Sequence, residues 1–163
     1  MKRLLLALFT LVIMTVMPFS AFAVEEEIIS TPGQFNLIQQ PLEGVPQAKA
    51  GGIGGFGTIK CYPELVGPGL AYCNWTLDIS KSGDVISGFS VYITINDSNG
   101  KLVHQEPIAK KLTGTLYSKY HDQIDFQGLS PGTYTATVHG TVAGVSSGFV
   151  IAPVKSASFK IPL

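Results

Sequence analysis

The sequence is poor in charge, in cysteine and above all in arginine. Only 13% of its 163 residues are charged, and Arg3 is the single arginine. Guanidinium groups are the usual means by which proteins recognise phosphates and bases, so this scarcity argues against nucleic-acid binding. After residue 23 the sequence also lacks any amphipathic helical pattern, which favours an all-β chain.

Residues 1–23 have the features of a cleaved secretory signal peptide. Lys2 and Arg3 precede an apolar run over residues 4–17, and Ala21-Phe-Ala23 fits a small-residue cleavage site. The run is too short for a membrane-spanning helix, and no later run approaches the necessary length. We therefore expect cleavage after Ala23 and a secreted protein without a membrane span.

The mature chain is predicted to consist of a leader and one domain. Proline and glycine recur throughout residues 24–50, which indicates a flexible leader. Within it, Phe35 and Leu37 predict a short edge strand. Residues 51–163 are long enough to bury a core of their own and are predicted to form a single domain.

The domain begins with a glycine-rich segment that superficially resembles a nucleotide site. Gly52-Ile-Gly54-Gly-Phe-Gly57 fits the G-x-G-x-x-G pattern, which binds a dinucleotide only between a strand and a following helix. Here Pro46 precedes the glycines and a strand pattern follows them. We therefore interpret residues 48–57 as a flexible connection and expect no cofactor.

Alternation of apolar and polar residues predicts about seven or eight short strands. One hairpin turns at residues 66–69, and a second turns at residues 96–100 and returns until Pro107 stops it. A further strand is predicted over residues 112–117, and residues 142–153 are predicted to form a loop or small hairpin. The predicted core shares the inward phase of these strands and contains Trp75, Leu77, Phe89, Val91, Ile93, Tyr134, Val138 and Phe159.

One turn carries a resemblance to a known superfamily. Ser130-Pro-Gly132 forms a turn, and Tyr134 follows it at the start of an alternating strand. This arrangement resembles the tyrosine corner of immunoglobulin-like and fibronectin type III-like domains. The resemblance implies a single antiparallel Ig-like β-sandwich and names no activity.

Cys61 and Cys73 are the only cysteines, and export would place them in an oxidising compartment. A hairpin that turns near Gly67 sets the two residues opposite each other, so we predict a local disulfide. Both would share the inward face of Trp75. Immunoglobulin domains differ, because their disulfide joins distant strands of two sheets. The residues beside the cysteines supply no further metal ligand, so no metal site is predicted.

The histidines and acidic residues do not form a recognisable catalytic motif. His104, His121 and His139 lack zinc-site spacing, and the outward His139 is interpreted as a solvated side chain. The densest polar cluster, Lys119-Tyr-His-Asp122 with Asp125, could hold an acid and a base, but a hydrated connection is the better interpretation. No G-x-S-x-G elbow is present. We therefore predict that the protein is not an enzyme and has no catalytic residues.

Three kinds of binding remain open. The first hypothesis is a secreted Ig-like module that binds a protein or cell-surface component, or has a structural role. The second is a small carbohydrate- or ligand-binding sandwich, in which a carbohydrate would use the outward Tyr72 and Tyr92, with Asn74 and Asn96 as polar neighbours. The third is a protease inhibitor acting through residues 142–153. Two matches to the N-glycosylation pattern, at Asn74 and Asn96, are interpreted as incidental.

Overall fold

The structure, a computed structural model, describes residues 30–40, 51–64 and 66–163. Apart from one turn of 3-10 helix at Ser80–Ser82, its regular structure is all β. The predicted signal peptide lies outside the described residues, and so does the predicted leader apart from residues 30–40. The strands are β1 (Gly33–Gln40), β2 (Ile53–Pro63), β3 (Ala71–Asp78), β4 (Ile86–Asp97), β5 (Leu102–Lys111), β6 (Lys119–Phe126), β7 (Gly132–Gly144), β8 (Gly148–Lys155) and β9 (Ala157–Ile161).

The nine strands form one nearly closed, barrel-like antiparallel sheet. Eight of them follow the order β5-β4-β7-β8-β1-β2-β3-β6, and β9 pairs with β7. The all-β, antiparallel part of the prediction is confirmed, but there are nine strands instead of seven or eight, and they are not clearly divided into the two sheets of a sandwich, because β1 pairs with both β8 and β2. β7 contributes as well, since one of its edges pairs first with β9 and then with β8.

The alternation in the sequence predicted the core well. All eight predicted core residues are buried, and Trp75, Ile93 and Phe159 have no solvent exposure. The aromatic ring of Trp75 meets that of Phe89 edge-on, with 5.3 Å between the ring centroids. These rings come from β3 and β4, so the core connects strands that lie far apart in the order of the sheet.

The leader contributes an interior strand, and the prediction of an edge strand there is wrong. β1 lies between β2 and β8, and Phe35 and Leu37 are buried. A Cβ atom at Gly57 would lie 2.2 Å from the ring of Phe35. The glycines at this point therefore permit close packing of β1 against β2. The flexible connection predicted over residues 48–57 is wrong from Ile53 onward, because β2 already begins there.

Two further boundaries differ from the prediction. β5 continues through Pro107 to Lys111, because the proline nitrogen points to the free edge of the strand. The N–H of Leu112 donates to Ser87 O, so the even-numbered residues of β5 direct their backbone groups toward β4. The backbone groups of the odd-numbered residues, including Pro107, therefore point to the free edge. Residues 112–118 contain no strand and connect β5 to β6. Residues 142–153 do form the predicted small hairpin, which consists of the end of β7, a tight turn and most of β8.

The disulfide hairpin and the tyrosine corner have the predicted geometry. Cys61 and Cys73 are directly opposite in the β2–β3 ladder, their sulfurs are bonded, and both are buried with Trp75. Tyr134 donates a hydrogen bond from its hydroxyl to Ser130 O at 2.7 Å. A tyrosine hydroxyl bonded to backbone a few residues upstream is the defining contact of a tyrosine corner.

Candidate binding surface

The two terminal strands of the sheet order lie side by side without pairing. In the part of the chain that the structure describes, no backbone ladder joins β5 to β6. Side chains meet instead. The rings of His104 and Phe126 are 6.1 Å apart, and Lys110 Nζ lies 2.9 Å from Tyr120 Oη. We call this gap, between His104–Lys110 of β5 and Tyr120–Phe126 of β6, the seam.

Both strands turn an unpaired backbone edge toward the seam. The N–H of Ile79 donates to Ser118 O, so even-numbered residues of β6 pair with β3. The odd-numbered residues therefore direct their N–H and C=O groups into the seam. Among them, Gln123 N–H bonds only a side chain, Asp122 Oδ1, at 2.9 Å. An unpaired edge of this kind is a template for another extended chain.

The core is incompletely covered at the same place. Four hydrophobic residues pack against the core but are only partly buried, namely Ile108, Leu112, Tyr120 and Ile124. All four belong to β5, to the residue that follows it, or to β6. Apolar surface left partly open beside an unpaired backbone edge is typical of an interaction site.

A chain of hydrogen bonds crosses the seam. Lys110 Nζ donates to Tyr120 Oη, which donates to Asp122 Oδ2 at 2.6 Å. Burial raises the pKa of Tyr120, and the hydrogen bond to Asp122 raises it further. The hydrogen bond from Tyr120 holds the pKa of Asp122 below its usual value. The tyrosine therefore keeps its proton and the aspartate stays ionised near neutral pH, so the three side chains form a latch between β5 and β6.

The predicted polar cluster lies on β6 and not in a hydrated connection, and the strand places its residues on two different sides. Tyr120 and Asp122 are partly buried on the inner side, whereas Lys119 and His121 are exposed on the outer side. Lys119 Nζ forms an ion pair with Asp78 Oδ2 at 3.1 Å. On the outer side, Gln123 Nε2 donates to Asp125 Oδ1. The sequence indicated a polar cluster here but not the participation of Lys110, because only the fold brings β5 beside β6.

The histidines do not meet. His104 lies against Phe126, and His121 is opposite Thr76 on the outer face of the sheet. His139 is half-buried and stacked on Tyr92 with the ring centroids 5.2 Å apart, and its burial lowers its pKa. It is therefore not the solvated side chain that was expected. Within residues 30–40, 51–64 and 66–163, no group of three or more metal-ligating side chains converges.

The outward tyrosines are stacked on neighbouring side chains. Tyr72 stacks on Tyr62 with 5.2 Å between the centroids, and Lys60 Nζ lies 4.8 Å from the Tyr62 ring centroid. Tyr92 stacks on His139. Because each ring already has a neighbour against one face, these pairs offer less open ring surface than a carbohydrate platform built from free aromatic faces.

A buried carboxylate that the sequence did not reveal organises the turn after β7. Asp84 accepts hydrogen bonds from the backbone of Val145 and Ser146 and, at 2.6 Å, from the hydroxyl of Ser147. A fourth bond comes from the N–H of Val85. The carboxylate of Asp84 therefore holds the turn in place through hydrogen bonds. The turn is short, since β7 ends at Gly144 and β8 begins at Gly148. No pattern in the sequence connects residues this distant along the chain.

Comparison with known proteins assigns this chain to no family. No family model matches the sequence, and no curated protein matches it. The chain is similar to the crystal structure of the ApaA protein from Bordetella pertussis, with a TM-score of 0.43 and 9% sequence identity. The match covers 83% of this chain and 95% of that one.

Among residues 30–40, 51–64 and 66–163, no helix has the length and hydrophobicity needed to cross a bilayer.

Proposed function

We propose that the protein is an exported, non-enzymatic Ig-like module that binds a protein component of the cell surface or its surroundings. The seam carries this proposal. It combines unpaired backbone groups with partly open apolar side chains, and extended chains add to sheet edges of this kind. Main-chain hydrogen bonds would supply affinity, and the partly open side chains would supply specificity.

Other features agree with parts of the proposal. The tyrosine corner at Tyr134 is typical of Ig-like domains. The Cys61–Cys73 disulfide is typical of exported proteins. The Lys110–Tyr120–Asp122 latch favours binding over catalysis, because its tyrosine holds its proton and its carboxylate is already engaged.

The test separates the backbone of Gln123 from its side chain. Proline at this position removes an N–H that faces the seam, together with its bond to Asp122 Oδ1, and leaves the hydrogen bonds to β3 in place, as Pro107 leaves those of β5 to β4. We expect Gln123→Pro to reduce binding of the mature protein to cells of its source by about tenfold or more, which is the loss of roughly one or two hydrogen bonds in a dry interface. The matched variant Gln123→Ala keeps the N–H and should bind like the wild type.

Folding is checked before binding is compared. Both variants should retain the Cys61–Cys73 disulfide and a cooperative melting curve, and His121→Pro provides a second edge variant if Gln123→Pro folds poorly. Equal binding by a folded proline variant and the wild type would refute the seam as the binding site. Loss of binding in Gln123→Ala alone would assign recognition to the outer side chain instead.

A further inference from the structure

We propose that the seam receives an extended segment of a partner polypeptide, which runs antiparallel to β6 and carries an acidic residue near its C-terminal end. This inference rests on the proposed binding function and specifies the partner. It follows from three properties of the seam, namely its hydrogen-bonding groups, its inner side chains and its lysines.

The direction of the segment follows from the two edges. β5 and β6 are antiparallel to each other, so an inserted strand is antiparallel to one and parallel to the other. Pro107 interrupts the free edge of β5, whereas β6 presents Lys119, His121, Gln123 and Asp125 without a proline. Antiparallel pairing is slightly the more stable, so it is expected on the uninterrupted edge of β6.

The inner side of the seam determines which side chains the segment points inward. Residues opposite Tyr120 and Ile124 would complete the cover over the core and should be apolar. The residue between them faces Asp122, whose carboxylate is ionised, and should carry a hydroxyl. The long, exposed side chain of Lys110 can swing aside and release the latch as the segment enters.

The charges at one end of the seam select the acidic residue. Contacts of His104 with Phe126 and of Lys110 with Tyr120 fix the register of β5 against β6, so Lys111 lies across the seam from Lys119. Both lysines are exposed on the outer side. A segment antiparallel to β6 ends beside them, and an acidic side chain there would lie next to Lys111 and would share Lys119 with Asp78.

The probe is the synthetic peptide acetyl-Thr-Val-Thr-Thr-Thr-Val-Glu-amide, which places valine, threonine and valine on the inner side. It is added to the mature protein while amide hydrogen exchange is followed by NMR. At saturation, exchange should slow by about tenfold or more at the seam-facing amides of His121, Gln123 and Asp125. A peptide with lysine in place of glutamate should bind about fivefold more weakly at low salt, and the difference should largely vanish near 1 M salt.

The outcomes distinguish this inference from the proposed function. Protection of those amides in wild type and in Gln123→Ala, with lost binding in Gln123→Pro, would support it. If no peptide binds while Gln123→Pro still abolishes binding to cells, the partner assignment is wrong and the binding function stands. Self-association that Gln123→Pro prevents would make a second copy of this chain the occupant and overturn the inference. Failure of both tests would remove both proposals.

Discussion

Replacing Asp84 with asparagine should destabilise the protein more than any other near-isosteric change to a polar side chain described above. Asp84 is 9% exposed and accepts four hydrogen bonds from Val85, Val145, Ser146 and Ser147. An asparagine keeps the shape but offers one acceptor oxygen and points an NH₂ group at some of the former donors. The turn between β7 and β8 would lose its support.

The magnitude follows from the number and kind of bonds. Hydrogen bonds to a charged group contribute about 1.5–3 kcal/mol each, but bonds that share one carboxylate are not additive. We expect Asp84→Asn to lower the free energy of unfolding by about 2–4 kcal/mol, which corresponds to about 10 °C in melting temperature for a domain of this size. Ser147→Ala removes one donor and leaves the charge bonded, so it should cost only about 1 kcal/mol.

The effect should depend on pH in a defined direction. Burial raises the pKa of Asp84, but the hydrogen bonds from Ser147, Ser146, Val85 and Val145 outweigh it, and the pKa lies below the ordinary 3.8. A carboxyl whose pKa is lowered on folding stabilises the protein above its unfolded pKa and loses this contribution as the pH falls through its folded pKa. The difference between wild type and Asp84→Asn should be constant at neutral pH and shrink below about pH 4.

Urea unfolding followed by the fluorescence of Trp75, the single tryptophan, measures both effects. The buried indole becomes exposed on unfolding, so one signal reports the whole core. Two results would refute the reasoning. One is a free energy of unfolding for Asp84→Asn within about 0.5 kcal/mol of the wild type at pH 7. The other is a large difference that does not shrink at all between about pH 4 and about pH 2, the range in which the carboxyl of the unfolded chain takes up its proton.

Three further predictions concern the corner, the glycines and export. Tyr134→Phe removes the hydroxyl of the tyrosine corner and should cost about 1 kcal/mol in the same urea assay; no change would mean that the bond is not maintained in solution. Gly57→Ala should destabilise by about 3 kcal/mol or prevent folding, because its Cβ would overlap the ring of Phe35, whereas Gly148→Ala, with open space at its Cβ, serves as the control. The mature protein should begin at Val24 by mass spectrometry, and recovery of intact residues 1–23 on a membrane-bound product would contradict the signal peptide.

The sequence alone predicted the local features of the fold. Period-two alternation identified the buried faces of β3, β4 and β7, because the geometry of a strand places successive side chains on opposite sides. The spacing of Cys61 and Cys73 about Gly67 predicted their register, since a hairpin pairs residues equidistant from its turn. The turn before Tyr134 predicted the corner, because proline and glycine restrict the backbone there to a few conformations.

Tertiary structure decided everything that depends on contacts between distant residues. Phe35 and Leu37 could not be assigned to an interior strand, because their ladders to β2 and β8 involve residues far along the chain. Contacts between distant residues also determine the closure of the strands into one sheet, the hydrogen bonds from residues 145–147 to Asp84, and the seam. In particular, Lys110 and Tyr120 belong to different strands separated by an irregular connection, and only the nearly closed sheet brings β5 beside β6 and leaves their edges unpaired. Alternation along a strand fixes which way a side chain points, but it carries no information about which strand lies next to it.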